Sequence, residues 1–105
     1  MTTFDNRENA FENKFAHDEE LRFKAVARRN KLLGLWAAEL MGITGEAAAE
    51  YAKSVVMADF EEPGDEDVIR KVAKDLAGKA DDAAIRVKLD ELMPVAREQI
   101  MSEMG

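Results

Sequence analysis

Cysteine is absent from this 105-residue chain, proline occurs twice, and histidine, tryptophan and tyrosine occur once each. Without cysteine there is neither a disulfide framework nor a thiolate metal site. A single histidine, His17, removes the histidine-based metal motifs. No phosphate-binding glycine loop and no nucleophile elbow is present either. The sequence therefore calls for no enzyme chemistry, no metal and no cofactor. No apolar run approaches the roughly 18 residues a membrane crossing needs, so no membrane insertion is expected. No basic stretch followed by an apolar one opens the chain, which argues against a secretory signal and for the cytoplasm. Positive charge is scarce as well: 15 Lys and Arg stand against 22 Asp and Glu, a formal net charge of -7. Free nucleic-acid binding is excluded on that ground, because neutralising phosphates needs a clustered basic surface. Strand signals are nearly missing, since only SVVM at 54–57 has any strand character.

What is present is helix-forming sequence. The length fits one compact domain. Breaks fall at MGITG (41–45), EEPGDED (61–67) and AGKADD (77–82), and the segments between them are rich in Ala, Leu, Glu, Lys and Arg. This pattern predicts an all-α fold, a four-helix bundle with helices at about 18–41, 45–60, 65–77 and 82–103. In the first, Asp18 is a candidate cap with Glu19 and Glu20 in the first turn. The run LLGLWAAELMG is apolar almost all round. That places Leu32, Leu33, Leu35, Trp36, Ala37, Leu40 and Met41 in or near the core. Gly34 weakens a helix interior by roughly 1 kcal/mol relative to Ala, which a close approach by another helix would explain. Thr44 is a candidate cap for the second helix, whose inward stripe is Ala48, Tyr51, Val55 and Ala58. Asp65 is the expected cap of the third, with Val68, Ile69, Val72 and Leu76 inward. Ile85, Leu89, Leu92, Ala96 and Ile100 form the stripe of the fourth, in which Pro94 predicts a kink.

Residues 1–17 lie outside that bundle pattern. Residues 1–20 carry six acids and two bases, yet the first 23 residues also contain Phe4, Phe11, Phe15 and Phe23. At 100° per residue, Phe4, Phe11 and Phe15 fall within about 40° of one another, a narrow aromatic seam if the segment is helical. Two readings stand: an arm disordered when free that folds when its seam meets a groove, or a helix extension packed on its own bundle.

Three charged groupings complete the reading. Arg22, Lys24, Arg28, Arg29 and Lys31 fall within ten residues with no acid among them. They read either as a contact for phosphate or an acidic partner, or as a solvated helix face balancing the acids before it. His17 stands beside Asp18, Glu19 and Glu20, which favour its charged form and would suit a pH sensor; a surface histidine at a helix start is the plainer reading. Asp59, Glu61, Glu62, Asp65, Glu66 and Asp67 lack calcium-loop spacing and read as helix-start acids around a solvated turn.

The strings TTFDNRENAFENKFAHDEELRFKA, ARRNKLLGLWAAELMG, VVMADFEEPGDEDVIRKV and VAREQIM resemble the alphaproteobacterial F1-ATPase inhibitor family, the ATP synthase zeta subunit. The resemblance covers nearly the whole chain and rests on long contiguous strings. It implies a four-helix bundle over 18–105 with a mobile N-terminal arm at 1–17. It further implies a regulatory inhibitor acting at the membrane-bound ATP synthase, whose arm inserts as a helix between catalytic and noncatalytic subunits near the central stalk and blocks ATP hydrolysis. The family's arm pattern falls on Phe4, Asp5, Arg7, Glu8, Ala10, Phe11, Glu12, Lys14 and Phe15. Asn6, Asn9 and Asn13 depart from it toward weaker helix formers, and Pro94 is a further departure. The competing expectations are a small helical module binding nucleotide or phosphate through the basic stretch, and a stability factor for another complex.

Overall fold

The computed structural model describes residues 19–58 and 65–103. Within them the chain forms four helices and no strand: α1 (Glu19–Leu40), α2 (Gly45–Ala58), α3 (Glu66–Leu76) and α4 (Asp82–Glu103). The four expected helices are all present; the third is a residue shorter at each end, the fourth has the expected bounds, and the expected ends at 18 and 60 lie outside the described residues. Asp18 lies outside the described residues, while Glu19 and Glu20 occupy the first turn of α1 as expected.

Contacts run around the bundle in the order α1, α2, α3, α4, and α1 also touches α3 across the middle. α1 and α3 thus each meet all three other helices, and α1 makes its most extensive contacts with α2 and α4. The main core joins Leu33 and Ala37 of α1 to Val55 of α2, Val68, Ile69, Val72 and Leu76 of α3, and Ile85 and Leu89 of α4. A second, separate cluster sits at the other end of α1, where Leu21 and Ala25 pack on Ile100, with Met93 and Met101 against them.

The end of α1 has a physical cause. Ile43 N–H donates to Ala38 C=O (2.9 Å) and Gly42 N–H to Glu39 C=O (3.1 Å), the paired bonds that satisfy a helix's last carbonyls when the next residue turns left-handed. Gly42 takes that role at φ +74°. Gly34 fulfils the expectation of a close crossing: a Cβ placed there would stand 2.6 Å from Ala52 Cα and 3.2 Å from Val55 Cγ2.

Several expectations are corrected. Leu35 and Leu40 are exposed, at 37% and 39%: Leu35 lies about 200° round α1 from the covered side of Leu33, and Leu40 is the last residue of the helix. Ala52, outside the expected stripe, is buried, since the Gly34 crossing requires a small partner. Asp65 stands at the N-cap position of α3 but makes no side-chain cap bond; its carboxylate is taken by Arg29 instead. In α4 the capping oxygen is Asp81 Oδ1, which accepts from Ala84 N–H at 2.8 Å. Pro94 does not end α4, which continues on both sides of it; the residue is exposed, and on the solvent side water can serve the carbonyl that the missing N–H leaves. The inward stripes of α3 and α4 are as expected, with Leu92 part-buried against the core.

Candidate functional site

The arm residues Phe4, Asp5, Arg7, Glu8, Phe11, Glu12, Lys14 and Phe15 lie outside the described residues, as does His17. The structure does describe the root from which the arm departs. α1 begins at Glu19, and its exposed face there carries Arg22, bridged to Glu19 at 4.0 Å, and Lys24, bridged to Glu20 at 3.3 Å. These are surface pairs one helical turn apart, each worth a few tenths of a kcal/mol. Phe23 is 58% exposed on the same stretch.

The five bases at 22–31 do not act as one patch. Lys24, Arg28 and Lys31 line a shallow groove with Phe23, Ala27, Val56 of α2 and Ile100 of α4. Arg28 donates to Gln99 Oε1 at 2.9 Å and pairs with Glu103. Arg29 turns the other way and is buried, its side chain only 7% exposed. Its Nη2 donates to Asp65 Oδ1 at 2.6 Å and to Asn30 Oδ1 at 2.9 Å, and its Nη1 to Asp65 Oδ2 at 3.3 Å. A guanidinium is suited to this fork, meeting both carboxylate oxygens at once. Arg29 thus ties α1 to the start of α3. The fully buried Asn30 beside it was unmarked in the sequence; position alone separates it from a surface asparagine.

Each described member of the acidic group has an arginine partner. Asp65 takes Arg29, Glu66 takes Arg86 of α4 at 3.0 Å, and Asp67 takes Arg70 at 3.2 Å. Asp59, Glu61 and Glu62 lie outside the described residues. Among the described residues no three acids or histidines converge as a metal site would require.

A polar cluster that the sequence did not advertise joins α2 to α3. Tyr51 Oη donates to Asp75 Oδ2 at 2.9 Å, Lys71 Nζ reaches the same oxygen at 3.0 Å, and the ammonium lies 5.3 Å from the tyrosine ring centre. Burial, then the hydrogen bond and charge of Asp75, push the Tyr51 hydroxyl well above its ordinary 10.0. Burial alone would raise the Asp75 carboxyl. The hydrogen bonds from Lys71 and Tyr51 and the charges of Lys71 and Lys74 outweigh it and hold the group below 3.8. The cluster has no nucleophile poised for attack, since a phenol with a raised pKa stays protonated. Lys88 similarly lies 5.7 Å over the Trp36 ring.

The family model for ATPase inhibitor subunit zeta matches residues 1–99, arm included. The chain belongs to that family. A protein whose structure was solved by solution NMR is 57% identical, aligned over 79% of this chain and 98% of its own, with a TM-score of 0.74. No match to a curated protein was found. Zeta membership makes the chain an inhibitory, regulatory subunit rather than an enzyme, with the F1 part of ATP synthase as its partner. No described helix of this zeta chain is long and apolar enough to cross a membrane.

Proposed function

We propose that the chain inhibits F1-ATPase by inserting residues 1–17 as a helix between a catalytic and a noncatalytic subunit, beside the central stalk, so that rotation in the hydrolysis direction stops. The observation that carries this reading is the zeta family match, which extends through the arm and begins at residue 1. Phe4, Phe11 and Phe15 are its apolar anchors, each contributing about 1.5–3 kcal/mol if fully buried. Asp5, Arg7, Glu8, Glu12 and Lys14 set register by charge pairing with the partner. Asn6, Asn9 and Asn13 lower the arm's own helix propensity, so the partner's groove must supply the ordering energy. The rival reading, phosphate or nucleotide held by the basic stretch, finds Arg28 and Arg29 already engaged with Glu103, Gln99 and Asp65.

The test is ATP hydrolysis by the cognate F1 titrated with the full chain and with a chain lacking residues 1–17. Inhibition by the full chain and none by the shortened one is expected, with the bundle still folded by circular dichroism. Equal inhibition by both would overturn the arm as the inhibitory element.

A further inference from the structure

We infer that the last turn of α4 holds the root of the arm, which makes Gln99, Ile100 and Glu103 positioning residues for inhibition. The inference rests on the arm reading above. α1 starts at Glu19, immediately after the arm. Its first two turns bury Leu21 and Ala25 against Ile100, with Met93 and Met101 packed alongside, and no described residue of α2 or α3 joins that cluster. One turn further on, Arg28 donates to Gln99 and pairs with Glu103. The arm-proximal end of α1 is therefore fastened largely through the C-terminal end of α4, apart from the main core.

That fastening matters because helix formation is costly to start and easy to extend. Beginning a helix is disfavoured by a factor of about a thousand, whereas adding a residue to an existing one is near neutral. An arm joined to a held helical turn grows from it residue by residue, already aimed along α1. An arm joined to a frayed end must start afresh. With three asparagines at positions 6, 9 and 13 the arm is a poor starter. A small cluster at two helix ends is also the kind of unit that opens without global unfolding, so the held and frayed forms are separable by experiment.

The test uses the full chain, Ile100→Ala, Glu103→Arg and the exchanged pair Arg28→Glu with Glu103→Arg. Hydrogen exchange of the backbone amides at 23–29 is read in the free chain, together with the amides of Leu33 and Ile85. Inhibition of F1 is read beside it, with the chain lacking residues 1–17 as control. For both single variants, exchange at 23–29 is expected to accelerate about tenfold or more while the core amides hold. The half-inhibitory concentration is expected to rise by about tenfold as the arm loses its ready-made start. The exchanged pair is expected to recover both. Unchanged exchange at 23–29, or core amides accelerating equally, would overturn the clasp. Faster exchange at 23–29 with unaltered inhibition would overturn its role in positioning. A chain lacking residues 1–17 that inhibits as well as the full chain would instead overturn the arm reading, a result the exchange data cannot produce.

Discussion

At Gly34 a methyl group has nowhere to go. It would meet the backbone of Ala52 at 2.6 Å, which no side-chain rotation relieves. Alanine is the better helix former by roughly 1 kcal/mol, but overpacking a tight crossing typically costs 1–3 kcal/mol. Gly34→Ala is therefore expected to destabilise the fold by about 1–2 kcal/mol, a fall of roughly 4–8 °C in thermal midpoint per kcal/mol. The opposite sign is expected at Ala77, which caps α3 in the left-handed region at φ 50° with its N–H bonded to Lys74 C=O. Glycine carries no penalty there, so Ala77→Gly is expected to gain about 0.5–1 kcal/mol by chemical denaturation. The close crossing at Gly34 was legible, because a glycine inside a helical run asks for a reason. The left-handed alanine was not, because the neighbouring Gly78 offers the same signal one residue later.

Between elements, polar links do the specifying. Arg29 joins α1 to the start of α3, and its removal strips donors from both Asn30 Oδ1 and Asp65. Arg29→Leu is expected to cost about 1–3 kcal/mol, reduced from the fully buried case because Asp65 is partly exposed. A double-mutant cycle with Asp65→Asn should return a coupling of about 0.5–3 kcal/mol; additivity would mean the fork contributes nothing specific. The Tyr51–Asp75–Lys71 link gives a pH signature. The folded pKa of Asp75 lies below its ordinary 3.8. Its contribution is therefore full above about pH 4 and is lost as pH falls through the folded value. The stability gap between the native chain and Asp75→Asn should narrow below pH 4 and stay flat above it. At the alkaline end the sign reverses: Tyr51 is held protonated in the fold, so stability should decline above about pH 10. As Tyr51 is the one tyrosine, tyrosinate absorbance should rise together with unfolding rather than before it. Apolar periodicity marked the inward faces of α3 and α4 because they are amphipathic. It overstated the C-terminal half of α1, where Leu35 and Leu40 are apolar yet uncovered. It was silent on Arg29, since a buried arginine and a solvated one look alike until a carboxylate from a distant helix is brought opposite.

For the whole molecule, stability and inhibition should separate. Phe11→Ala is expected to weaken inhibition of F1 with little change in thermal midpoint; a large fall in midpoint would make the phenylalanine part of the core. The bundle was legible from glycine and proline breaks and helical spacing, and the inhibitory reading from the long family strings. The subordinate cluster at Leu21, Ala25 and Ile100 was legible only at Ile100, because two isolated apolar residues in a charged stretch give little periodic signal. The position of α1 carries a mechanical consequence. It is 22 residues long, about 33 Å of rod at 1.5 Å per residue, flanked by α2 and α4 running the other way. A rotor pushing on the arm would load this rod lengthwise, setting it in shear against two neighbours at once. Under the proposed insertion, many contacts would have to slip together instead of peeling one by one, so the bundle would serve as a ratchet's mounting block as well as its handle.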